Sequence, residues 1–253
     1  MIGIIKEKLG DIPSLVVVDS EKQKEALPVV LFFHGFTSAK EHNLPIAFLL
    51  AEKGFRVVLP DSELHGEREH NVSAIKKQVS FWDIVLKNVK EAEEIKNALD
   101  AAGLILDGRI GVAGTSMGGI TTSAALTQYE WIKTGVILMG SPRITAFAKT
   151  LVESFKNDLD LPVTDEQIEA LYGELERCDL SLQPEKLNQR PLLFWHGQKD
   201  SVVPFDHSYT FYDSVKQDYK NSDDIRFIKE KNTDHKVSRN AILELVKWFE
   251  KYL

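Results

Sequence analysis

Cysteine is nearly missing from this chain: Cys178 is its one thiol in 253 residues. A single thiol closes no internal disulfide, so the fold must rest on its core, and a reducing cytoplasm is the expected location. Positive charge is also scarce. Lys and Arg number 31 against 38 Asp and Glu, a formal charge of −7 with no basic run. That balance argues against nucleic acid or an anionic membrane as partner. No apolar stretch is long enough to span a bilayer. The N-terminal MIGIIKEKLGDIP carries charges inside its apolar stretch, unlike the uninterrupted core of a signal peptide. Repeats and low-complexity tracts are absent too. What is present is 43% hydrophobic residues, enough for a sizeable core. The expectation is a soluble α/β chain with one domain over residues 1–253.

Short apolar runs alternate with helical patterns along the chain. Residues 2–8 and 14–18 flank GDIP and predict two early strands, a candidate hairpin. PVVLFFHG, at 28–35, is a continuous apolar run ended by glycine and predicts a strand buried on both faces. KEHNLPIAFLLAEKG predicts a helix with Gly54 as C-cap, and FRVVLPD the next strand. In SFWDIVLKNVKEAEEIKNALDAAG, Trp82, Val85, Leu86, Val89 and Ala92 share one face. Glu91, Glu94, Lys87, Lys90 and Lys96 are expected on the solvent side. RIGVAG, TGVILMGSP, PLLFWHG and DIRFIKEK read as further strands, and SRNAILELVKWFEKYL as a terminal amphipathic helix.

Between TGVILMGSP and PLLFWHG, residues 143–190 exceed what a plain strand–helix–strand link needs. Two segments there have helical periodicity, and Thr164 with Gln167 forms a capping-box signature. This stretch predicts a helical insertion with a cap-like position. Phe147, Leu151, Phe155, Leu171 and Tyr172 supply a candidate apolar underside. The alternation as a whole predicts a mainly parallel sheet with helices on both faces, and chemistry at the carboxyl ends of its strands.

Four loops after predicted strands carry the chemistry. Gly114-Thr115-Ser116-Met117-Gly118 reads as G-x-S-x-G between a strand and a helix. Such a turn aims a serine at a helix N-terminus, and its glycines relieve the crowded backbone. Taken alone it is equally a glycine-rich packing turn. GQKDSVVP places Asp200 past another strand, and NTDHKVS places His235 past a third. A serine hydroxyl is a weak nucleophile until an imidazole takes its proton, and the imidazole needs a carboxylate to fix its tautomer. The order Ser116, Asp200, His235 fits that requirement. HGFTSAKEHN follows the first central strand. Its Phe36 N–H and the N–H of Met117 are the candidate oxyanion donors.

Together, FFHGFTS, VVLPDSELHGER, GVAGTSMGGI, LLFWHGQKDSVVP and NTDHKV resemble the α/β-hydrolase superfamily. The likeness is to small bacterial esterases of the dienelactone-hydrolase and prolyl-oligopeptidase-like group, and it spans nearly the whole chain. It implies the α/β-hydrolase fold, Ser116 as nucleophile, Asp200 as acid, His235 as base, and Phe36 and Met117 as oxyanion donors. It implies a small-molecule ester substrate and no cofactor.

Bland readings stand beside these. His34 and His196 precede glycines at strand ends, which in the resembled family is usually a structural position. His34, Asp61 and His65 are candidates for the pocket border. His65, Glu67, Glu69 and His70 match no zinc spacing, so no metal is expected. Asp234 is a rival carboxylate, but adjacent side chains diverge, which favours Asp200 as partner of His235. A carboxylesterase-like serine hydrolase for small or medium acyl groups is the leading expectation. A peptidase, a thioesterase and a non-catalytic binder on the same fold are the alternatives.

Overall fold

The computed structural model describes the backbone of residues 1–158 and 164–253, and the side chains of residues 1–154 and 164–253. The Phe155 side chain therefore lies outside the described residues. Strands β1 (Ile2–Leu9) and β2 (Ile12–Asp19) form the expected antiparallel hairpin, Leu9 facing Ile12 across the turn. Next come β3 (Leu27–Phe33), α1 (Leu44–Ala51), β4 (Arg56–Pro60), α2 (Ala74–Val79), α3 (Phe81–Ala101), β5 (Ile105–Thr115) and α4 (Met117–Gln128). After β6 (Ile132–Leu138) stand α5 (Ile144–Asp158) and α6 (Asp165–Glu176). Then follow β7 (Leu192–Gly197), α7 (Phe205–Val215), β8 (Ile225–Glu230) and α8 (Arg239–Tyr252).

The strands form one eight-stranded sheet in the order β1-β2-β4-β3-β5-β6-β7-β8. It is antiparallel through β1, β2 and β4, and parallel from β4 to β8. This is the α/β-hydrolase arrangement the sequence leads one to expect.

Side chains alternate across each strand, which splits the core in two. Leu31, Phe33, Val112 and Phe194 pack beneath α3, α4 and α7. Val30, Phe32, Ala113 and Trp195 pack against α1 and α8. The chain leaves β3 for β4 on one side and returns to β5 on the other, so the direction of winding reverses between β3 and β5. A crevice forms at the carboxyl ends of strands at such a switch point, and His34 and Ser116 stand there.

Local signals account for the helix boundaries. The Thr164–Gln167 capping box is present, and Ser238 Oγ caps α8 through the Ala241 N–H. The helix expected from KEHN starts as a 3₁₀ turn over Lys40–Asn43 before α1. One expectation fails: Glu91 is buried, not solvent-facing. Ile84, Asn88, Glu91 and Ile95 form a second buried stripe on α3: Asn88 reaches Thr121 of α4, and Arg68 from the 61–68 loop covers Glu91. Glu94 is exposed as expected. Among the described residues, no helix is long and apolar enough to cross a membrane.

Candidate active site

Ser116 occupies the step between β5 and α4 with φ 56° and ψ −114°. A non-glycine residue rarely holds positive φ, so the surroundings must over-determine it. They do. Ser116 N–H donates to Leu138 O at 2.9 Å, and Ser116 O accepts from Ile120 N–H at 2.9 Å. A Cβ on Gly118 would lie 2.0 Å from Phe33 O, and one on Gly114 would lie 2.3 Å from the Gly118 backbone. Only glycine lets α4 press against β3 and β5 this closely, which tightens the turn.

Two other loops reach the serine. His235 Nε2 lies 2.9 Å from Ser116 Oγ, and His235 Nδ1 lies 2.8 Å from Asp200 Oδ2. Close backbone approach aligns the loops: Lys199 N–H donates to Thr233 O at 3.1 Å, and a Cβ on Gly197 would sit 2.3 Å from that same carbonyl. Asp200 Oδ1 accepts the N–H groups of Val202 and Val203, both at 2.9 Å. Burial would raise the Asp200 pKa. Hydrogen bonds from His196, His235 and those two backbone N–H groups outweigh it and hold the carboxyl well below the usual range.

Asp234 is exposed and points elsewhere. Its Oδ1 accepts from Ser201 N–H, Ser201 Oγ and its neighbour's own His235 N–H, at 2.9, 2.9 and 2.8 Å. It braces the two loops against each other, while Asp200 faces the imidazole.

The Gly35–Thr37 loop after β3 is built on buried polar groups. Among the described residues, the N–H groups of Phe36 and Met117 have no internal hydrogen-bond partner. Thr37, at φ 60°, donates its N–H to His65 Nε2 at 3.1 Å, and His65 Nδ1–H donates to Glu63 O at 2.8 Å. His34 is bonded in the same sense: Nδ1–H to Gly35 O at 2.7 Å, with Nε2 accepting from Ser62 N–H at 3.0 Å. In each ring Nε2 accepts, so each is the neutral Nδ1–H tautomer. Burial lowers the pKa of both, His34 to about 4. Asp61 accepts from the N–H groups of Lys40 (3.1 Å) and Glu67 (2.9 Å) and pairs with Lys40 Nζ. All three pocket-border candidates are thus at most 1% exposed; His34 and His65 tie the Gly35–Thr37 loop to the 61–67 loop from behind, and Asp61 ties that second loop to the Lys40 turn. Of the four residues weighed against zinc spacing, His65, Glu67 and Glu69 are engaged by Thr37, Lys40 and Lys77.

A model of the prolyl oligopeptidase family matches residues 45–253. The chain belongs to the prolyl oligopeptidase family. It is a serine hydrolase. Over 255 residues it is 50% identical to "Putative esterase YitV" of Bacillus subtilis (strain 168), covering 100% of both chains. It is 33% identical over 211 residues to "Esterase YjfP" of Escherichia coli (strain K12), covering 82% of each. Its fold is similar to that of TT1662 from Thermus thermophilus: TM-score 0.76 at 20% identity, over 99% of this chain and 98% of the other.

This prolyl oligopeptidase family member also has an apolar cleft of about 270 Å³. Phe81, Trp82, Leu151, Val152, Ile168 and Leu171 line it, with Gln78, Asp83 and Gln167 at its polar edge. Two residues of the expected underside, Leu151 and Leu171, are in its wall. Phe147 and Tyr172 are buried in the cluster behind it. No triad candidate lines the cleft. Contact runs through rings: Phe81 lies 5.4 Å from Phe36, and Trp82 lies 5.9 Å from Phe147. Met117 and Ile120, at the start of α4, belong to the same cluster.

Proposed function

We propose that the chain hydrolyses carboxylic esters through Ser116, His235 and Asp200. The observation that carries this reading is the continuous relay, 2.9 Å from Ser116 Oγ to His235 Nε2 and 2.8 Å from His235 Nδ1 to Asp200 Oδ2. The strained φ of Ser116 and the esterase names of two relatives support it. As Ser116 Oγ bonds to the carbonyl carbon, its proton passes to His235 Nε2. The carbonyl oxygen becomes an oxyanion that accepts the N–H groups of Phe36 and Met117. The carbonyl re-forms, the C–O bond to the alcohol breaks, and His235 gives its proton to the leaving oxygen. Water repeats the sequence on the acyl-enzyme and restores Ser116. Asp200 stays ionised throughout and stabilises the imidazolium.

The 143–190 insertion acts as a cap in this reading, and the cleft under α5 and α6 holds the acyl group. At about 270 Å³ it lies just below the roughly 300–1,000 Å³ of common ligand pockets, which suits a small or medium acyl chain. The test is hydrolysis of p-nitrophenyl esters together with labelling by a fluorophosphonate. Ser116→Ala loses labelling and about 10⁶-fold in kcat, and Asp200→Asn about 10⁴-fold. A Ser116→Ala protein that keeps most of its ester hydrolysis refutes the relay. Faster turnover of a matched amide than of the ester transfers the reading to a peptidase.

A further inference from the structure

The triad carboxylate has a second imidazole on it. His196, at the end of β7, places Nε2 3.0 Å from Asp200 Oδ2, the oxygen that also faces His235. Its other neighbour at Nε2 is Val203 O at 3.1 Å, also an acceptor. With acceptors alone in reach, Nε2 carries the proton and donates. The ring is wholly buried, edge-on to Phe205 at 5.7 Å, and Nδ1 has no hydrogen-bond partner. A buried ring nitrogen without a partner costs stability, so phenylalanine would fill this space better. The polar work of the ring is all done at Nε2.

From this we infer that His196 is a positioning residue: its Nε2–H fixes Asp200 Oδ2 toward His235 and completes the shell of donors around a buried carboxylate. Asp200 Oδ1 has two backbone N–H donors, so His196 gives Oδ2 its matching pair. Without His196, Oδ2 would be held by His235 alone, and the ring that must take the proton of Ser116 would also have to anchor its own anchor. The inference rests on the proposed triad.

The experiment compares His196→Phe, which keeps a ring without the donor, with His196→Gln, whose amide can present an N–H near the position of Nε2. Active sites are counted by fluorophosphonate titration, so kcat is expressed per competent site and a misfolded fraction drops out. The Phe variant is expected to lose about 10- to 100-fold in kcat per site, the range set by one charge-assisted hydrogen bond, with KM within about twofold. The Gln variant is expected to recover most of the loss. The downfield proton resonance of His235 Nδ1–H is expected to shift in the Phe variant and return toward its original position in the Gln variant. Wild-type kcat per site in His196→Phe, or equal losses in both variants, overturns the inference. It would leave His196 as a tie to the Val203 carbonyl. Ser116→Ala is run alongside: if that protein stays active, the triad reading itself has failed, whatever His196 does.

Discussion

Mild acid should destabilise this protein from beneath the nucleophile, through His34. His34 accepts the Ser62 N–H at Nε2 and is fully buried, and burial pushes its pKa from 6.5 to about 4. The unfolded chain therefore binds a proton near pH 6.5 that the folded chain refuses until about pH 4. Between those values the unfolded state holds more protons, so stability falls as pH falls. The contribution is whole above about pH 6.5 and gone below about pH 4. A shift of about 2.5 units at 1.36 kcal/mol each is about 3 kcal/mol, of which about 2 is lost by about pH 5. The assay is urea denaturation of wild type and His34→Gln across about pH 7.5 to 5. The variant retains an acceptor for Ser62 but cannot titrate. It should start less stable and then lose about 2 kcal/mol less than wild type on acidification. His65 is lowered in the same direction, but it is present in both proteins and cancels in the difference. Parallel pH dependences for the two proteins would refute the argument.

Three further outcomes follow from contacts. A Cβ at Gly197 would meet Thr233 O at 2.3 Å, so Gly197→Ala should displace the His235 loop. Steady-state kinetics should show a loss on the order of 100-fold in kcat, with thermal melting showing that the fold persists. Glu91 takes a bidentate pair from Arg68, both bonds at 2.8 Å, in a nearly buried site. Glu91→Gln removes one of the two carboxylates paired with Arg68, the other being Glu63, and should cost about 1–3 kcal/mol by denaturant titration. Replacing both partners with apolar residues should recover most of that. In a p-nitrophenyl ester series, the proposed cap gives kcat/KM a maximum at short or medium chains, and Leu171→Ala moves it to longer ones. A flat profile from acetate to palmitate would rule out a size-limiting cleft.

The sheet was legible because its strands are uninterrupted apolar runs closed by glycine, as at 28–35 and 191–197, and their alternation with helices fixes parallel pairing. Periodicity was a weaker guide where two surfaces cover one helix. On α3 it assigns Glu91 to solvent because it sees one stripe, while α4 packs on the other and Arg68 reaches Glu91 from a loop 23 residues away. Helix α2 went unpredicted: it has six residues, too few for a periodic signal, and the Ser73 cap on the Lys76 N–H is a side-chain contact that only the fold reveals.

The candidate site divides along the same line. Ser116, Asp200 and His235 could be named in advance because each follows a strand, and the chemistry demands that residue set in some order. Nothing comparable marks the groups that support them. His34 and His65 read as polar residues near strand ends, and their work is set by partners 28 positions away in each case. His196 stands four residues before Asp200 on the same strand exit. Its spacing was visible, but the rotation of its ring was not. The three rings also act in opposite senses. His34 and His65 accept backbone N–H groups at Nε2 and hold the Gly35–Thr37 loop only while neutral. His196 donates at Nε2 and holds a carboxylate. Substituting the same amide, glutamine, at His34 and at His196 therefore asks for its oxygen in one place and its nitrogen in the other. The side-chain amide can rotate to meet either demand. Phenylalanine meets neither, which is why the pair of substitutions separates hydrogen bonding from ring volume at both sites.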